Sequence, residues 1–291
     1  MSARRDYKYI MRLFVYRAEV LAQRLRFVGV KAPAGSWPVL LGISFPKSGS
    51  HLLDQILLGF SMVAPFSCHL PLTFAAYDGE TGRKRSLQET LNYINALRPL
   101  DVSSAHLFAL PEVVERVCTP NFIPYFIFRD PRDVVVSHVF YITDMAPSHH
   151  HHKYYTEVLA NFNDRLKVSI LGLPESDVEF PDIAGRFAPY MNWLDRPEVL
   201  PLHFEDFVHD RLTVLNKVLD HFLNRVDTLP IPRERILDIL VNSIDPGRSP
   251  TFRAGKTGEW KKYFTNEHKH IFKDVAGDLL VRLGYVKNND W

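Results

Sequence analysis

Residues 39–62 constrain this chain more than any other stretch. Val39–Phe45 (VLLGISF) is a continuous apolar run, Pro46–Ser50 a tight loop, and His51–Met62 (HLLDQILLGFSM) repeats leucine and isoleucine at helical spacing. An apolar run bounded by turn signals suits a strand buried on both faces. Strand, loop and helix in that order begin a crossover, and crossovers join parallel strands. The pattern recurs. Tyr125–Arg129 (YFIFR) reads as a strand, Pro131 stands where it opens a helix over Asp133–Tyr141, and Val199–Phe204 (VLPLHF) reads as a strand before a helix from Asp210 to Asn224. The expectation is an α/β chain with a central, mostly parallel sheet flanked by helices.

Length and composition bound the rest. The 291 residues are 46% hydrophobic and 23% charged, the balance of a globular chain with a sizeable core. No repeat or linker divides them, so one domain over 1–291 is expected, with 1–38 as a helical extension (helix Tyr7–Phe27) packed on it. A net charge of +2 gives no global field to recruit nucleic acid, so an anionic ligand needs a local cluster. Arg4, Arg5, Lys8, Arg12, Arg17, Arg24 and Arg26 interrupt the N-terminal apolar residues, and no run approaches the ~18 needed to span a bilayer. Two cysteines, Cys68 and Cys118, imply no disulfide framework and fit a reducing, cytoplasmic setting.

Three segments carry chemistry. Phe45-Pro46-Lys47-Ser48-Gly49-Ser50-His51 joins a strand to a helix through a glycine-containing turn, where backbone N–H groups and the helix dipole favour an anion. It is not a Walker A loop, because the lysine precedes the glycine. Arg129-Asp130-Pro131-Arg132-Asp133, with Ser137 two turns on, puts a forked donor at a strand end. Arg253-Ala254-Gly255-Lys256-Thr257-Gly258-Glu259-Trp260-Lys261 is a flexible cationic loop that Trp260 can anchor in the core. Each alone also fits a bland reading: an ordinary strand-to-helix turn, a helix start that Asp133 helps to cap, a solvated loop.

In this order, P-K-S-G-S, R-D-P-R-D-x-x-x-S-x-x-F and R-x-G-x-x-G-x-W-K-x-x-F-T resemble the sulfotransferases that use 3′-phosphoadenosine 5′-phosphosulfate (PAPS), their cytosolic branch in particular. The resemblance spans Val39 to Thr265 and implies the P-loop-like sulfotransferase fold. It implies that Lys47, Ser48, Gly49, Ser50 and His51 hold the 5′-phosphosulfate, with Lys47 stabilising the leaving phosphate. Arg129 and Ser137 fall where the family binds the 3′-phosphate, Arg253, Ala254 and Gly255 in the loop that closes over it, and Phe204 where a tyrosine lies near adenine. His106, in Ser104-Ala105-His106-Leu107-Phe108-Ala109-Leu110-Pro111, falls where the family has a histidine that takes the acceptor proton. No metal ligands are assigned, since a lysine and backbone amides can take the place of Mg²⁺ in sulfuryl transfer. The product would be the 3′,5′-bisphosphate PAP.

The departures matter. Leu52 replaces a tryptophan, His51 a threonine, and Ala254 the lysine of R-K-G, so donor affinity would be weaker or supplied by Arg132, Lys256 or His51. Lys261 and Thr265 match part of the family's dimer motif, which Asn266 and His270 do not complete. A homodimer is an open expectation. His149–His152 reads as a solvated loop, with metal binding or a pH-tuned gate as alternatives. The aromatic stretches Pro65–Tyr77 and Tyr154–Tyr190 suggest a partly apolar small-molecule acceptor, an alcohol or phenol, with a carbohydrate as alternative. Two other functions stay open: a nucleotide-binding relative without turnover, and a nucleotide-dependent kinase.

Overall fold

Apolar runs that can be buried on both faces are buried here in a parallel sheet. The computed structural model describes residues 36–70, 72–173, 177–226, 229–249 and 255–291, with 18, 21, 22 and 25–27 of the N-terminal stretch. The packing expected of the N-terminal extension lies outside the described residues. So do Arg253 and Ala254.

The strands are β1 (Val39–Ser44), β2 (Thr73–Ala75), β3 (Val102–His106), β4 (Phe122–Phe128) and β5 (Leu200–His203), in the spatial order β2-β3-β1-β4-β5. All four pairings are parallel. The helices are α1 (Ser50–Gly59), α2 (Leu87–Ala96), α3 (Pro111–Val117), α4 (Pro131–Phe140), α5 (Phe162–Leu171), α6 (Ile183–Phe187), α7 (Phe204–His209), α8 (Arg211–Leu223), α9 (Arg233–Ser243), α10 (Trp260–Tyr263) and α11 (Asn266–Arg282).

Alternation along the strands divides the core into two layers. Val39, Leu41 and Ile43 of β1 and Phe122, Phe126 and Phe128 of β4 face the layer of α3, α4, α5 and α11. Leu40 and Ile123, Tyr125 and Ile127 face the layer of α1, α8 and α9. Gly42 permits the second layer to close on β1, because a Cβ there would meet the Leu53 and Leu57 side chains of α1 at 3.2 Å. The expected central parallel α/β sheet is therefore present.

Some boundaries differ from the expectation. β4 starts at Phe122, ahead of Pro124. β5 pairs with β4 only from Tyr125 onward, which leaves that edge open at the proline, where a missing N–H is tolerated. β3 has no continuous apolar run to mark it, since Ser103 and Ser104 break it; Ser103 Oγ is buried and donates to Leu72 O at 2.8 Å. Asp130, rather than Asp133, caps α4 by accepting from Arg132 N. Tyr154–Tyr190 builds core, with Tyr155, Phe187 and Tyr190 buried.

Candidate active site

The chain runs from β1 to β2 and β3 on one side of β1, then crosses to β4 and β5 on the other. In an open parallel sheet, the crevice outside the strand C-termini at such a reversal is the natural ligand site. A cleft of ≈ 860 Å³ lies there, and its walls include Lys47, Gly49, Ser50, His51, Leu52, His106, Arg129, Ser137, Phe204 and Gly255. Of the described residues that the resemblance assigns to donor binding or catalysis, Ser48 alone is not on its wall. Its N–H bonds Phe45 O at 3.2 Å and its hydroxyl is buried beneath the loop without a partner.

The loop after β1 is shaped by two positive-φ residues. Gly49 (φ 99°) is the N-cap of α1, and a Cβ there would come within 2.8 Å of the Phe204 ring. Glycine therefore lets the loop and Phe204 share a narrow cradle. Lys47 also has φ 68°, which is uncommon for a non-glycine residue and typical of functional loops. No side chain caps α1 and its first turn carries no acid, so the N-terminal dipole is left for an anion.

Lys47 is the central cation. Its Nζ lies 3.8 Å from the centroid of the Tyr141 ring. Among the described residues no carboxylate pairs with it. Burial, then the charge of Arg129, lower its pKa to about 8. His106 ends β3, and its Nδ1 lies 2.8 Å from Ser44 O and 3.0 Å from Ser44 Oγ. A carbonyl only accepts, so Nδ1 carries the hydrogen and Nε2 keeps its lone pair. Ser44 Oγ in turn donates to Ser50 Oγ at 2.9 Å, tying β1, β3 and the start of α1 together. Burial is the largest influence on His106 and lowers its pKa below the ordinary 6.5, against the raising effect of the Ser44 carbonyl.

Arg129 follows β4 directly. Its Nη2 donates to Lys256 O at 2.7 Å and to Asp133 Oδ2 at 3.3 Å, its Cζ stacks 4.7 Å from the Phe204 centroid, and its buried Nε has no partner. Asp133 is the residue the sequence reading undervalued. It accepts from Gly258 N and Trp260 N, both at 2.8 Å, and so pins the 255–260 loop to α4. Burial pushes its carboxyl pKa up, and Arg129 and the two amides oppose that shift. Trp260 is buried, as an anchor should be.

Arg132 does not line the cleft. It forks onto Asp130 at 2.7–3.2 Å and lies between Trp260 (4.2 Å) and Trp291 (4.5 Å). Lys256 reaches the site by its carbonyl alone, with an exposed side chain. Thr265 caps α11 by accepting from His268 N. The remaining wall includes Thr73, Phe74, Tyr77, Tyr141 and His149, and none of the described residues of Tyr154–Tyr190. The histidine run is not a solvated loop: His151 is 5% exposed, and His149 and His150 are half-buried, with ring centroids 4.3 Å apart. It lies between two π-type turns, Tyr141–Met145 and Tyr154–Val158, a backbone form concentrated at functional sites.

The arrangement can bind a polyanion, neutralise charge at Lys47 and accept a proton at His106. Among the described residues no helix is long and apolar enough to cross a membrane. Solved structures share the fold. Mouse sulfotransferase SULT7A1 complexed with PAP is 16% identical, with TM-score 0.56 over 86% of this chain and 89% of that one. Retinol dehydratase in complex with androsterone and inactive cofactor PAP is 16% identical, with TM-score 0.53 over 83% and 80%. The complex of retinol dehydratase with retinol and PAP gives 16%, 0.54, 83% and 81%. No curated protein sequence matches the chain. A family model, the sulfotransferase domain, matches residues 38–284, so the chain belongs to the sulfotransferase family.

Proposed function

We propose that this protein transfers a sulfuryl group from PAPS to a hydroxyl of a small molecule. One observation carries the reading: Lys47, without a carboxylate partner among the described residues, and His106, with Nε2 free to accept, line a single cleft with Arg129, Ser137 and Gly255.

The residues present fit a nucleotide with two phosphorylated positions. Arg129 has a buried Nε still to be satisfied, Gly49 leaves a cradle that a Cβ would fill, and the start of α1 offers amides without a capping side chain. Arg129, Ser137 and the 255–258 backbone would hold a 3′-phosphate, and Lys47, Gly49, Ser50 and His51 the 5′-phosphosulfate. Phe204, with Arg129 against one side of its ring, would hold the base by stacking. When bound, the donor supplies an activated sulfuryl group.

The chain's own work is then proton handling and charge stabilisation. His106 is kept neutral around pH 7 by burial and oriented by Ser44, so Nε2 takes the acceptor's proton. Lys47 leaves the face of Tyr141 and stabilises, or protonates, the departing oxygen. A lysine with pKa about 8 gives up its proton more readily than an ordinary one. Thr73, Phe74, Tyr77 and Tyr141 make a wall of mixed polarity that suits a partly apolar alcohol or phenol. Androsterone and retinol, which retinol dehydratase carries in its complexes, are molecules of that kind. The thiols of Cys68 and Cys118 are free, which agrees with a reducing compartment such as the cytoplasm.

Single-turnover transfer from radiolabelled PAPS to a panel of alcohols and phenols tests this reading, run beside PAP titration. His106→Ala should lower turnover by roughly 10²–10⁴-fold and leave PAP affinity nearly unchanged. Transfer from ATP with Mg²⁺, and none from PAPS, would establish a kinase instead. Tight PAP binding with no transfer to any acceptor would establish a binding protein.

A further inference from the structure

Three neighbouring histidines, of which His149 lines the cleft, are not used by the sulfuryl-transfer reading. We propose that His149, His150 and His151 form a binding site for a divalent ion of the zinc class, and that its occupancy inhibits turnover. One ligand atom from each ring lies within 4.8 Å of the others. Tetrahedral zinc with Zn–N of ~2.0–2.1 Å sets its nitrogens ~3.4 Å apart, so side-chain rotations of about 1 Å complete the site. Imidazole nitrogen is the ligand such ions prefer over alkaline-earth ions.

Two further observations point to an ion rather than to packing. His151 is 5% exposed, yet among the described residues neither of its ring nitrogens has a hydrogen-bond partner. Buried polar atoms are seldom left so, and ligation would satisfy one of them. His150 Nδ1 lies 3.2 Å from Gly79 O, which can only accept. Nδ1 therefore carries the hydrogen and Nε2 presents its lone pair, the tautomer that a backbone carbonyl fixes behind a metal-bound histidine. His149 Nδ1 accepts from His151 N at 3.2 Å, a long bond that ligation would give up. His152 is held apart by Ile142 O at 2.6 Å, and His138 by Ser169 Oγ at 3.0 Å.

The charged neighbours decide how firmly the ion is held. Arg186 acts on His151 and Lys47 acts on His149, both cationic, and among the described residues no carboxylate belongs to the cluster. Three neutral imidazoles bring no negative charge to offset that of the ion beside two cations, so it is held less firmly than at a site with a carboxylate. Coupling to turnover follows from position. His149 lines the cleft, its ring centroid is 6.0 Å from that of Tyr141, and Lys47 Nζ rests over Tyr141. Drawing His149 toward His150 and His151 moves the wall beside Lys47 and adds positive charge next to it.

The inhibitory half rests on the sulfotransferase reading, and the binding half does not. Zinc titration of the full chain against a chromophoric chelator, without donor or acceptor, should give one ion per chain, weakened at least about tenfold by His150→Ala and by His151→Ala. His150 is half-buried and off the cleft wall, so His150→Ala keeps zinc-free turnover and folds even if the buried His151 cannot be replaced. Zinc that inhibits the wild type and spares His150→Ala supports the coupling. Undiminished zinc binding by His150→Ala, or none by the wild type, overturns the site. Equal zinc inhibition of both proteins overturns the coupling.

Discussion

Replacing Asp133 by asparagine should both loosen the nucleotide cleft and destabilise the chain, because one carboxylate holds three groups from two parts of the sequence. Oδ1 accepts from Trp260 N, and Oδ2 accepts from Gly258 N and Arg129 Nη2. Asparagine keeps one acceptor oxygen. It can serve Trp260 or Gly258, and its amide would face the remaining donors. At least one backbone bond is lost, that of Trp260 if the oxygen takes the Oδ2 place, or that of Gly258 together with the Arg129 contact if it takes the Oδ1 place, and in either case Arg129 loses its charged partner. Hydrogen bonds to a charged group are worth about 1.5–3 kcal/mol each, and the stranded N–H adds its own desolvation penalty. A loss of about 2–4 kcal/mol is expected, visible as a drop of several degrees in melting temperature for a chain of this size. Arg129 and the 255–260 loop would also be less well placed, so PAP affinity should fall by about 10-fold or more, each ~1.4 kcal/mol of lost contact being a factor of ten. Urea unfolding without nucleotide gives the first quantity and calorimetric PAP titration the second. Asp133→Asn with stability within ~0.5 kcal/mol of wild type and unchanged PAP affinity would show that the loop is held by Trp260 packing alone, and the carboxylate clamp would be discarded.

Turnover of the free enzyme should be bell-shaped in pH. On the acid side, activity is lost as pH falls through the pKa of His106, which burial places below 6.5; on the alkaline side, it declines as pH rises through about 8, where Lys47 loses its charge. An acid limb above 6.5 in kcat/KM, or an alkaline limb unaltered by Lys47→Arg, contradicts these assignments. Arg129→Ala should weaken PAP far more than a nucleotide lacking the 3′-phosphate, by a factor corresponding to about 1.5–3 kcal/mol. Equal losses in calorimetry for the two ligands would remove Arg129 from the 3′-phosphate.

Sheet class and the order of the anion-binding segments are legible in adjacent residues. Val39–Phe45 and Tyr125–Phe128 are apolar on both faces, which only a covered parallel sheet satisfies, and the loops after them follow from Pro46, Gly49 and Pro131. Local chemistry of that kind is written in adjacent residues. Contacts between distant segments are not. Ser44 and His106 meet only because β1 and β3 pair side by side, and Asp133 reaches Gly258 and Trp260 across more than a hundred residues. Asp133 reads from the motif as a helix cap and Arg132 as a cation for the donor, yet burial sends the first to the loop amides and the second between two tryptophans. The aromatic residues around Tyr154–Tyr190 looked like an acceptor wall because composition does not say which way a ring points; packing against β1 and β4 put Phe187 and Tyr190 into the core. The histidine run looked solvated for the converse reason. Four polar rings in a row carry no local signal for burial, and only the fold, by bringing Gly79, Tyr141 and Phe180 around them, turned the run into a buried cluster.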